Sequence, residues 1–476
     1  MPTASPSSRK GVSRRSAATR SSSSRAAATR ACSASRPPGT WKSSVTLGLD
    51  FGTTNSAVGA VLADGSCRLA SFPDGDDTTV TFRSVLHFTA EAAERRQRPI
   101  PAKGPGAIES YLEEGCGGRF LQSLKSHLAS RLFKEAWIFG WKFTLEELIA
   151  EILAALRQAA KEQLGASGDR VLLGRPVHFV AGAERRIDPE SDAHAEARLR
   201  AAAELAGFRE VELEYEPVAA AFEYERSLDR DELVLIGDFG GGTSDFCLVR
   251  LGPSFRNRAN RRESILGVDG VPLAGDVFDG RIVRAVVAPR LGRGSLRRSA
   301  EGKELPVPAW IYGKLERWED VSFLATPKTM ETLRRLEAEA MEPTRIESLI
   351  QLVEDDLGYL LYRVVEDSKC RLSDAESVSF VFDELRRRLR QEIRRGDFET
   401  WLEPDLEQMA ACIDRLLDKT GTAASDVDRV FLTGGSALVP CVRALFAARF
   451  GEDRLRGGEE LTTVARGLAL LASERS

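Results

Sequence analysis

Long apolar runs, histidine and paired cysteines are what this 476-residue sequence has least of. No stretch of 18 or more apolar residues occurs, and a helix needs about 20 to cross a bilayer, so we expect no transmembrane helix. The four histidines are scattered, which argues against a histidine-built metal cluster. The seven cysteines are odd in number and contain no CxxC pair. They predict reduced thiols in a reducing compartment, not a disulfide framework or a zinc site.

Acidic residues are missing from the first 44 positions, which contain nine Lys or Arg. The segment has too few large apolar side chains to offset the entropy lost on ordering, so we predict a disordered basic tail over residues 1–44. An organelle transit peptide has a similar composition, but a clear amphipathic period is lacking here. The rest of the chain has 58 basic and 71 acidic side chains, a net charge of −13. This balance argues against a nucleic-acid-binding body.

About 430 residues follow the tail, more than one hydrophobic core supports and enough for two lobes. Hydrophobic residues make up 42% of the sequence, and helical patterns alternate with strand patterns, which indicates a globular α/β fold. We predict strands at 45–50, 57–62, 67–72 and 171–177, helices at 121–132, 144–164, 193–207 and 462–472, and a Pro/Gly-rich connection at 93–118.

Two glycine-rich turns almost two hundred residues apart follow one design. The first has Asp50 at the end of an apolar strand, and the second has Asp238 at the same place. The first turn continues with Gly52, Thr53, Thr54 and Asn55, and the second continues with Gly240, Gly241, Gly242 and Thr243. A third turn, near the C-terminus, contains Gly434, Gly435 and Ser436.

These residue types suit phosphate binding. Glycines let backbone N–H groups approach a phosphate closely, threonine hydroxyls add donors, and an aspartate beside the phosphates can hold a hydrated Mg²⁺. A single aspartate before a glycine is usually only a turn residue. Its repetition in both turns favours a nucleotide that is gripped from two sides.

The three turns, in this order, resemble those of the superfamily of actin, sugar kinases and heat shock protein 70. Three further segments are similar to heat shock protein 70 in particular: 216–221 (EPVAAA), 275–279 (GDVFD) and 366–373 (EDSKCRLS). The resemblance covers about residues 45–473. It implies a two-lobed actin-like ATPase fold, built from duplicated ribonuclease-H-like domains, with lobe I at 45–230, lobe II at 231–476 and an inserted helical subdomain at about 281–395.

The resemblance also implies the cofactors, ATP or ADP with Mg²⁺, and a role for each site residue. Asp50 and Asp238 would hold Mg²⁺ through water, Lys125 would reach the γ-phosphate, and Glu216 and Asp245 would order the attacking water. Lys125 rests on a short local match and could also be an ordinary surface lysine. The remaining nucleotide contacts would come from the three glycine turns, including Thr243, and from Lys369 and Ser373.

Two positions depart from the family's pattern at the adenine site. Cys370 stands where the family has an arginine that stacks on adenine, and Leu438 replaces a basic residue after the third turn. Cation–π support for the base is therefore reduced, and Arg371 and Arg443 are the candidates to compensate.

A third departure follows Pro176, whose family counterpart is linked to signalling between the lobes. No arginine falls in the expected register after it. Arg185, Arg186 and Arg198 are only candidates.

The sequence ends at Ser476, directly after the last helix expected of the nucleotide-binding module. We interpret it as resembling the short bacterial heat-shock-70-like proteins that lack the peptide-binding domain. The leading hypothesis is a cytoplasmic, slowly ATP-hydrolysing chaperone or nucleotide switch, with a binding-only form as a variant. A filament-forming actin-like protein and a small-molecule kinase are alternatives. We expect ATP and a protein client or co-chaperone on the outer lobe surfaces as partners, no nucleic acid or membrane, and a monomer.

Overall fold

The computed structural model describes residues 45–475 except 76, 92–96, 181–186, 257–260, 322–323 and 458–461. All of these residues belong to one compact unit, Ser43–Ser476. The tail predicted over 1–44 lies outside the described residues, as do Arg185 and Arg186. Within the described ranges, no helix combines the length and apolar character needed to cross a membrane.

The strands, in chain order, are β1 (Leu47–Phe51), β2 (Asn55–Val61), β3 (Cys67–Leu69), β4 (Phe72–Asp74), β5 (Asp77–Thr79), β6 (Phe82–Arg83), β7 (Leu86–Phe88), β8 (Ala102–Lys103), β9 (Arg119–Leu121), β10 (Glu135–Ile138), β11 (Trp141–Thr144), β12 (Arg170–Arg175), β13 (Glu210–Tyr215), β14 (Glu232–Phe239), β15 (Ser244–Leu251), β16 (Ile265–Val271), β17 (Leu296–Arg298), β18 (Glu304–Pro306), β19 (Ser377–Phe382), β20 (Leu389–Arg394), β21 (Arg429–Thr433) and β22 (Leu455–Gly457).

The α-helices are α1 (Pro105–Glu113), α2 (Leu145–Leu164), α3 (Pro189–Leu205), α4 (Glu216–Glu225), α5 (Pro253–Arg256), α6 (Gly275–Ile282), α7 (Ala309–Leu315), α8 (Trp318–Val321), α9 (Pro327–Glu339), α10 (Pro343–Glu354), α11 (Gly358–Asp374), α12 (Arg395–Thr420), α13 (Pro440–Phe450) and α14 (Thr463–Glu474).

Two large sheets have the same strand order and the same strand directions. Read in the same direction, the first sheet is β3-β2-β1-β12-β13 and the second is β16-β15-β14-β21-β22. In the first sheet, β6 also pairs with β2. In each, the central strand runs antiparallel to the strand that follows it in the chain and parallel to its other neighbour, β12 or β21. Asp50 and Asp238 are each the penultimate residue of the central strand. The two sheets therefore present these aspartates at equivalent positions.

Helix α14 follows the second sheet in the chain but packs against β1, β2 and β12 of the first sheet and against α4. These contacts are close because a glycine lies at the contact of α14 with β1 and another at its contact with α4. A Cβ atom on Gly48 would lie 2.1 Å from the Ala469 nitrogen, and one on Gly467 would lie 1.8 Å from the Ala219 carbonyl oxygen. Helix α4 also packs against β14 and β15, so one hydrophobic core contains residues of both sheets.

The strongest helix prediction, 144–164, is confirmed by α2. Thr144 caps the helix: its hydroxyl accepts a hydrogen bond from the Glu147 N–H, and the Glu147 carboxylate accepts one from the Thr144 N–H. Such a capping box satisfies two N–H groups that the first helical turn leaves without partners. The predicted apolar stripe, from Leu145 to Leu156, is buried against the first sheet's core.

Two secondary-structure predictions between residues 93 and 132 are wrong. The connection predicted at 93–118 contains β8 and α1, and the helix predicted at 121–132 is replaced by β9 and a short 3₁₀ turn, Leu124–His127. Pairing explains the second case, because Leu121 lies opposite Leu86 in a three-stranded sheet. Tertiary pairing here overrides a weak local helical pattern.

The region predicted as an inserted helical subdomain contains α7 to α11 and two hairpins, β17–β18 and β19–β20. The β19 strand alternates between buried and exposed residues, with Val378, Phe380 and Phe382 turned into the core. The hairpin therefore covers the core with one face. Helix α11, which carries the segment 366–373, contacts both α6 and β19.

Candidate functional site

One cavity of about 400 Å³ brings the three predicted turns together. It is lined by nearly all of the predicted site residues: Asp50, Gly52, Thr53, Thr54, Asn55, Lys125, Glu216, Asp238, Gly240, Gly241, Gly242, Thr243, Lys369, Gly434, Gly435 and Ser436. Asp245 and Ser373, both in the described part of the chain, are not among the lining residues. Residues at the ends of both large sheets thus line one cavity.

The first two turns meet across this cavity. A Cβ atom on Gly241 would lie 3.2 Å from the Thr54 hydroxyl and 2.9 Å from an Asp276 carboxylate oxygen. The third turn lies against the second, since a Cβ on Gly434 would lie 2.1 Å from the Phe239 carbonyl oxygen, and Gly434 has a φ of +86°. A side chain at Gly434 would overlap the Phe239 backbone and would need a left-handed conformation, so the third turn depends on glycine at this position. At Gly241 a Cβ atom would displace only the ends of the Asp276 and Thr54 side chains.

Lys125 lies within the group of acidic side chains. Its Nζ donates to Glu216 Oε1 at 2.6 Å, and both side chains are about nine-tenths buried. Burial alone would lower the pKa of Lys125, but the charges of Glu216 and Asp50 outweigh it and raise that pKa. The lysine is therefore a fixed cation in the cavity, and the reading as an ordinary surface lysine does not hold.

The two predicted magnesium aspartates have raised pKa values. Burial, followed by the charge of Glu216, raises the pKa of Asp50 to about 7. The same two causes, with the charge of Asp50 added, raise the pKa of Asp238 well above its usual value. The carboxyl groups of Asp50, Asp238 and Glu216 therefore interact with a single ammonium group, that of Lys125. Ionisation of all three carboxyl groups would be favoured by a further positive charge.

This donor set fits a hydrated divalent cation. Carboxylate oxygens are the ligands that Mg²⁺ prefers, and Mg²⁺ usually keeps several water molecules. Among the residues that the structure describes, no three Asp, Glu, His or Cys side chains are close enough to hold a metal directly. That Asp50 and Asp238 hold a cation through water, as the family resemblance implies, stays a prediction.

Asp245 lies behind the cavity wall. It is buried, and its carboxylate accepts hydrogen bonds from the Thr243 hydroxyl at 2.6 Å and from the Val177 N–H at 2.8 Å. Burial raises its pKa to about 7, and these two hydrogen bonds oppose the rise. The structure thus places Asp245 where it positions Thr243 and joins the second sheet to the end of β12.

The third turn and α11 form another part of the cavity. Lys369 Nζ lies 2.8 Å from the Asp279 carboxylate, and a Cβ on Gly275 would lie 3.0 Å from the Ser436 hydroxyl. Ser373 is one turn further along α11, and its carbonyl oxygen accepts from Arg395 at 3.3 Å. Lys369 lines the cavity, and Ser373 is not among the lining residues.

Arg83 lines the cavity and was missed by the sequence reasoning. Its guanidinium donates to Glu366 at 3.2 Å and to Asn55 at 3.3 Å, so it connects the first turn to α11. The register of the short strand β6, which sets Arg83 opposite Asn55, brings it there. A lone arginine in an irregular segment carries no sequence signal for such a pairing.

The expected register placed an arginine after Pro176, but Arg175, directly before it, is the arginine that contacts it. The Arg175 side chain is buried, pairs with Asp192 at 2.7 Å and donates to the Pro176 carbonyl oxygen at 3.0 Å. The candidate Arg198 is also buried, but it pairs with Glu146 and is not among the residues that line the cavity.

Comparisons with known proteins show the family of the chain. The family model described as Hsp70 protein matches residues 46–289 and 340–474 and leaves 290–339 unmatched. The chain is 26% identical over 429 residues to the chaperone protein DnaK of Halobacterium salinarum, in each of the strains R1 and NRC-1, covering 90% of this chain and 55% of the relative. The chain therefore spans about half the length of these relatives. Since the matched ranges contain every glycine turn and every carboxylate of the cavity, this protein belongs to the Hsp70 family.

Proposed function

We propose that the chain binds Mg-ATP between its two large sheets, hydrolyses it slowly and uses the nucleotide state as a chaperone-type switch. The observation that carries the proposal is the meeting of Gly241 with Thr54 across a cavity that holds more carboxylates than cations. Two glycine turns that face each other can offer backbone N–H groups to phosphates from both sides.

Each residue has a proposed role in this reaction. Thr53, Thr54 and the three glycines Gly240–Gly242 would hold the phosphates, and Lys125 would contact the γ-phosphate. Asp50 and Asp238 would hold the water shell of Mg²⁺, which when bound neutralises charge on the phosphates. Lys369 and Ser436 would lie beside the nucleoside.

Turnover should be slow because the carboxylates are already engaged. Glu216 is held by Lys125 and Asp245 by Thr243 and Val177, while Asp50 and Asp238 are proposed for the cation. None of these four carboxylates is then left as a strong general base, and we expect catalysis to rely on positioning and electrostatic stabilisation.

The finer fold assignment is also a proposal. The repeated strand order supports two ribonuclease-H-like lobes, at about 45–230 and 231–476, with the insert at about 281–395. The packing of α14 on the first sheet suggests counting this helix with lobe I. A nucleotide that contacts both lobes would favour one relative arrangement of them.

The name of the relatives, chaperone protein DnaK, supports a protein client or co-chaperone as the partner. We propose the insert as its contact surface, because it is the largest region that the paired sheets do not need. Capture of a partner from a lysate should then depend on whether ATP or ADP is present.

Nucleotide binding is tested by thermal unfolding with and without Mg-ATP. Ligand at 100 times its dissociation constant should stabilise the folded protein by about 2.7 kcal/mol. Asp238→Asn should lose most of this shift, whereas Asp367→Asn, on the exposed side of α11, should keep it. An unchanged melting temperature at millimolar Mg-ATP and Mg-ADP would refute the proposal.

A further inference from the structure

The two hairpins of the insert differ in how their outer strand edges are protected. An open edge has unpaired N–H and C=O groups, and proteins usually protect it with proline or charged side chains. In the hairpin β17–β18, the Ser299 N–H donates to the Lys303 carbonyl oxygen, so these residues are a hydrogen-bonded pair. Backbone groups alternate in direction along a strand, so Glu304 and Pro306 turn theirs to the outer edge of β18. This edge therefore carries a charge and a residue without an N–H.

The hairpin β19–β20 has one edge of this protected kind and one that is different. The Arg395 N–H donates to the Glu376 carbonyl oxygen at 2.8 Å, which fixes the alternation of backbone groups along both strands. The residues of β20 that turn their backbone groups outward are all charged: Arg390, Glu392 and Arg394. The corresponding residues of β19 are all neutral: Ser377, Ser379 and Val381.

The outer edge of β19 is open to solvent. Its three outward residues are exposed, and in the part of the chain that the structure describes their N–H and C=O groups have no hydrogen-bond partner. The alternate residues Val378, Phe380 and Phe382 are buried in the core and hold the strand in place. No proline or charged residue interrupts the sequence from 377 to 382. Such an edge is suited to the addition of one more strand.

The solvent-facing side of the hairpin gives this edge a charge preference. Arg394 lies opposite Ser377, and Arg390 lies opposite Val381. Arg390 is held by Asp383 at 2.9 Å. Arg394 is exposed, and no ion pair forms to it from any described residue. An added strand would lie about 10 Å from β20, and the small Ser377 leaves the long side chain of Arg394 free to reach across.

We propose that β19 binds an extended segment of a partner protein by antiparallel strand addition. The segment places an acidic side chain opposite Ser377, within reach of Arg394, and an apolar side chain opposite Val381, which is 40% exposed. In an antiparallel pair the apolar residue then precedes the acidic one by four positions. The inference rests on the proposed function, since it specifies the part of the insert that a client or co-chaperone contacts.

The probe is a synthetic peptide of about ten residues, longer than a typical strand. Valine precedes glutamate by four positions in it, and threonine fills the other positions. Calorimetry with the full chain should show saturable binding, and lysine in place of glutamate should weaken binding about threefold to tenfold because repulsion replaces attraction. Arg394→Glu should reverse this preference. Absence of binding at millimolar peptide, or equal binding of both peptides, would overturn the inference.

Two proline variants identify the edge. Ser379→Pro removes an outward N–H from β19, and Glu392→Pro removes the one opposite it on β20, so neither breaks a bond within the hairpin. Ser379→Pro should weaken peptide binding by about tenfold or more, because backbone hydrogen bonds provide most of the affinity of an added strand. Glu392→Pro is the matched control and should leave binding unchanged. Val381→Lys, which leaves the backbone intact, should also weaken binding. Equal losses in the two proline variants would overturn the assignment to β19.

Thermal unfolding with Mg-ATP, measured on the same samples, separates this inference from the proposed function. A normal nucleotide shift without peptide binding would overturn only the inference, and peptide binding without a nucleotide shift would overturn only the proposed function. Sedimentation tests whether a second copy of this chain covers the edge instead. A dimer that Ser379→Pro abolishes would overturn the assignment to a partner protein.

Discussion

The two glycine turns share one topology but differ in what supports them. Asp50 of β1 lies opposite Ala57 of β2, whereas Asp238 of β14 lies opposite Asp245 of β15. The two magnesium candidates are therefore equivalent, and their partners across the hairpin are not. Only the second turn has a buried carboxylate behind it, and that carboxylate reaches the first sheet through the Val177 N–H. The repeated topology places the two turns at one cavity. Asp245, whose counterpart in the first sheet is Ala57, connects the second sheet to the end of β12.

The largest expected effect tests the equivalence of the two aspartates. Asp50→Asn and Asp238→Asn should each lower Mg-dependent ATP turnover by about 10²-fold or more, because each removes a charge positioned for the cation. Neither should impair folding, since burial and neighbouring carboxylates already raise the pKa of both groups. Steady-state hydrolysis and thermal unfolding without Mg²⁺ measure the two properties. Full activity of one variant and loss in the other would break the equivalence.

A smaller effect tests the difference between the turns. Asp245→Ala removes the acceptor of the Thr243 hydroxyl and of the Val177 N–H and should lower the free energy of unfolding by about 1–3 kcal/mol. Turnover should fall less than in Asp238→Asn, because Asp245 acts through Thr243. Asp245→Asn keeps a carbonyl acceptor and serves as the milder control in urea unfolding. If Asp245→Ala matches the natural chain in stability, the connection between the sheets is not stabilising.

The smallest effect concerns pH. Because burial and Glu216 raise the pKa of Asp50 to about 7, the folded chain without Mg²⁺ keeps a proton that the unfolded chain loses above about pH 4. The resulting stabilisation is present at low pH and is lost as the pH rises toward 7. We expect Mg-nucleotide binding to need the ionised form, so affinity should rise by about fivefold from pH 6 to 7 and by about twofold or less from pH 7 to 8.

Titrations with Mg-ADP at pH 6, 7 and 8 measure this slope. Asp50→Asn, which has no proton to release at this position, should show a flatter profile. An affinity that is independent of pH in the natural chain would contradict the assignment of Asp50 to the cation.

Much of the site could be predicted because its residues sit in repeated local patterns. Asp50, Asp238 and the glycines after them form turns whose geometry depends on neighbours in sequence. Residues whose position depends on distant pairing were missed or misplaced. Arg83 reaches the cavity through the register of β6 with β2, and Ser373 fails to reach it because it lies one turn beyond Lys369 on α11.

The sequence by itself determined the α/β class, the strands and turns that carry the aspartates, and the capped helix at 144–164. These features follow from apolar periodicity, glycine conformation and capping, which act over a few residues. Only the tertiary structure decided that β9 replaces a predicted helix, that α14 packs on the first sheet and that Asp245 accepts a hydrogen bond from the Val177 N–H. Each of these depends on contacts between segments far apart in the chain, whose burial outweighs the small preferences of local sequence.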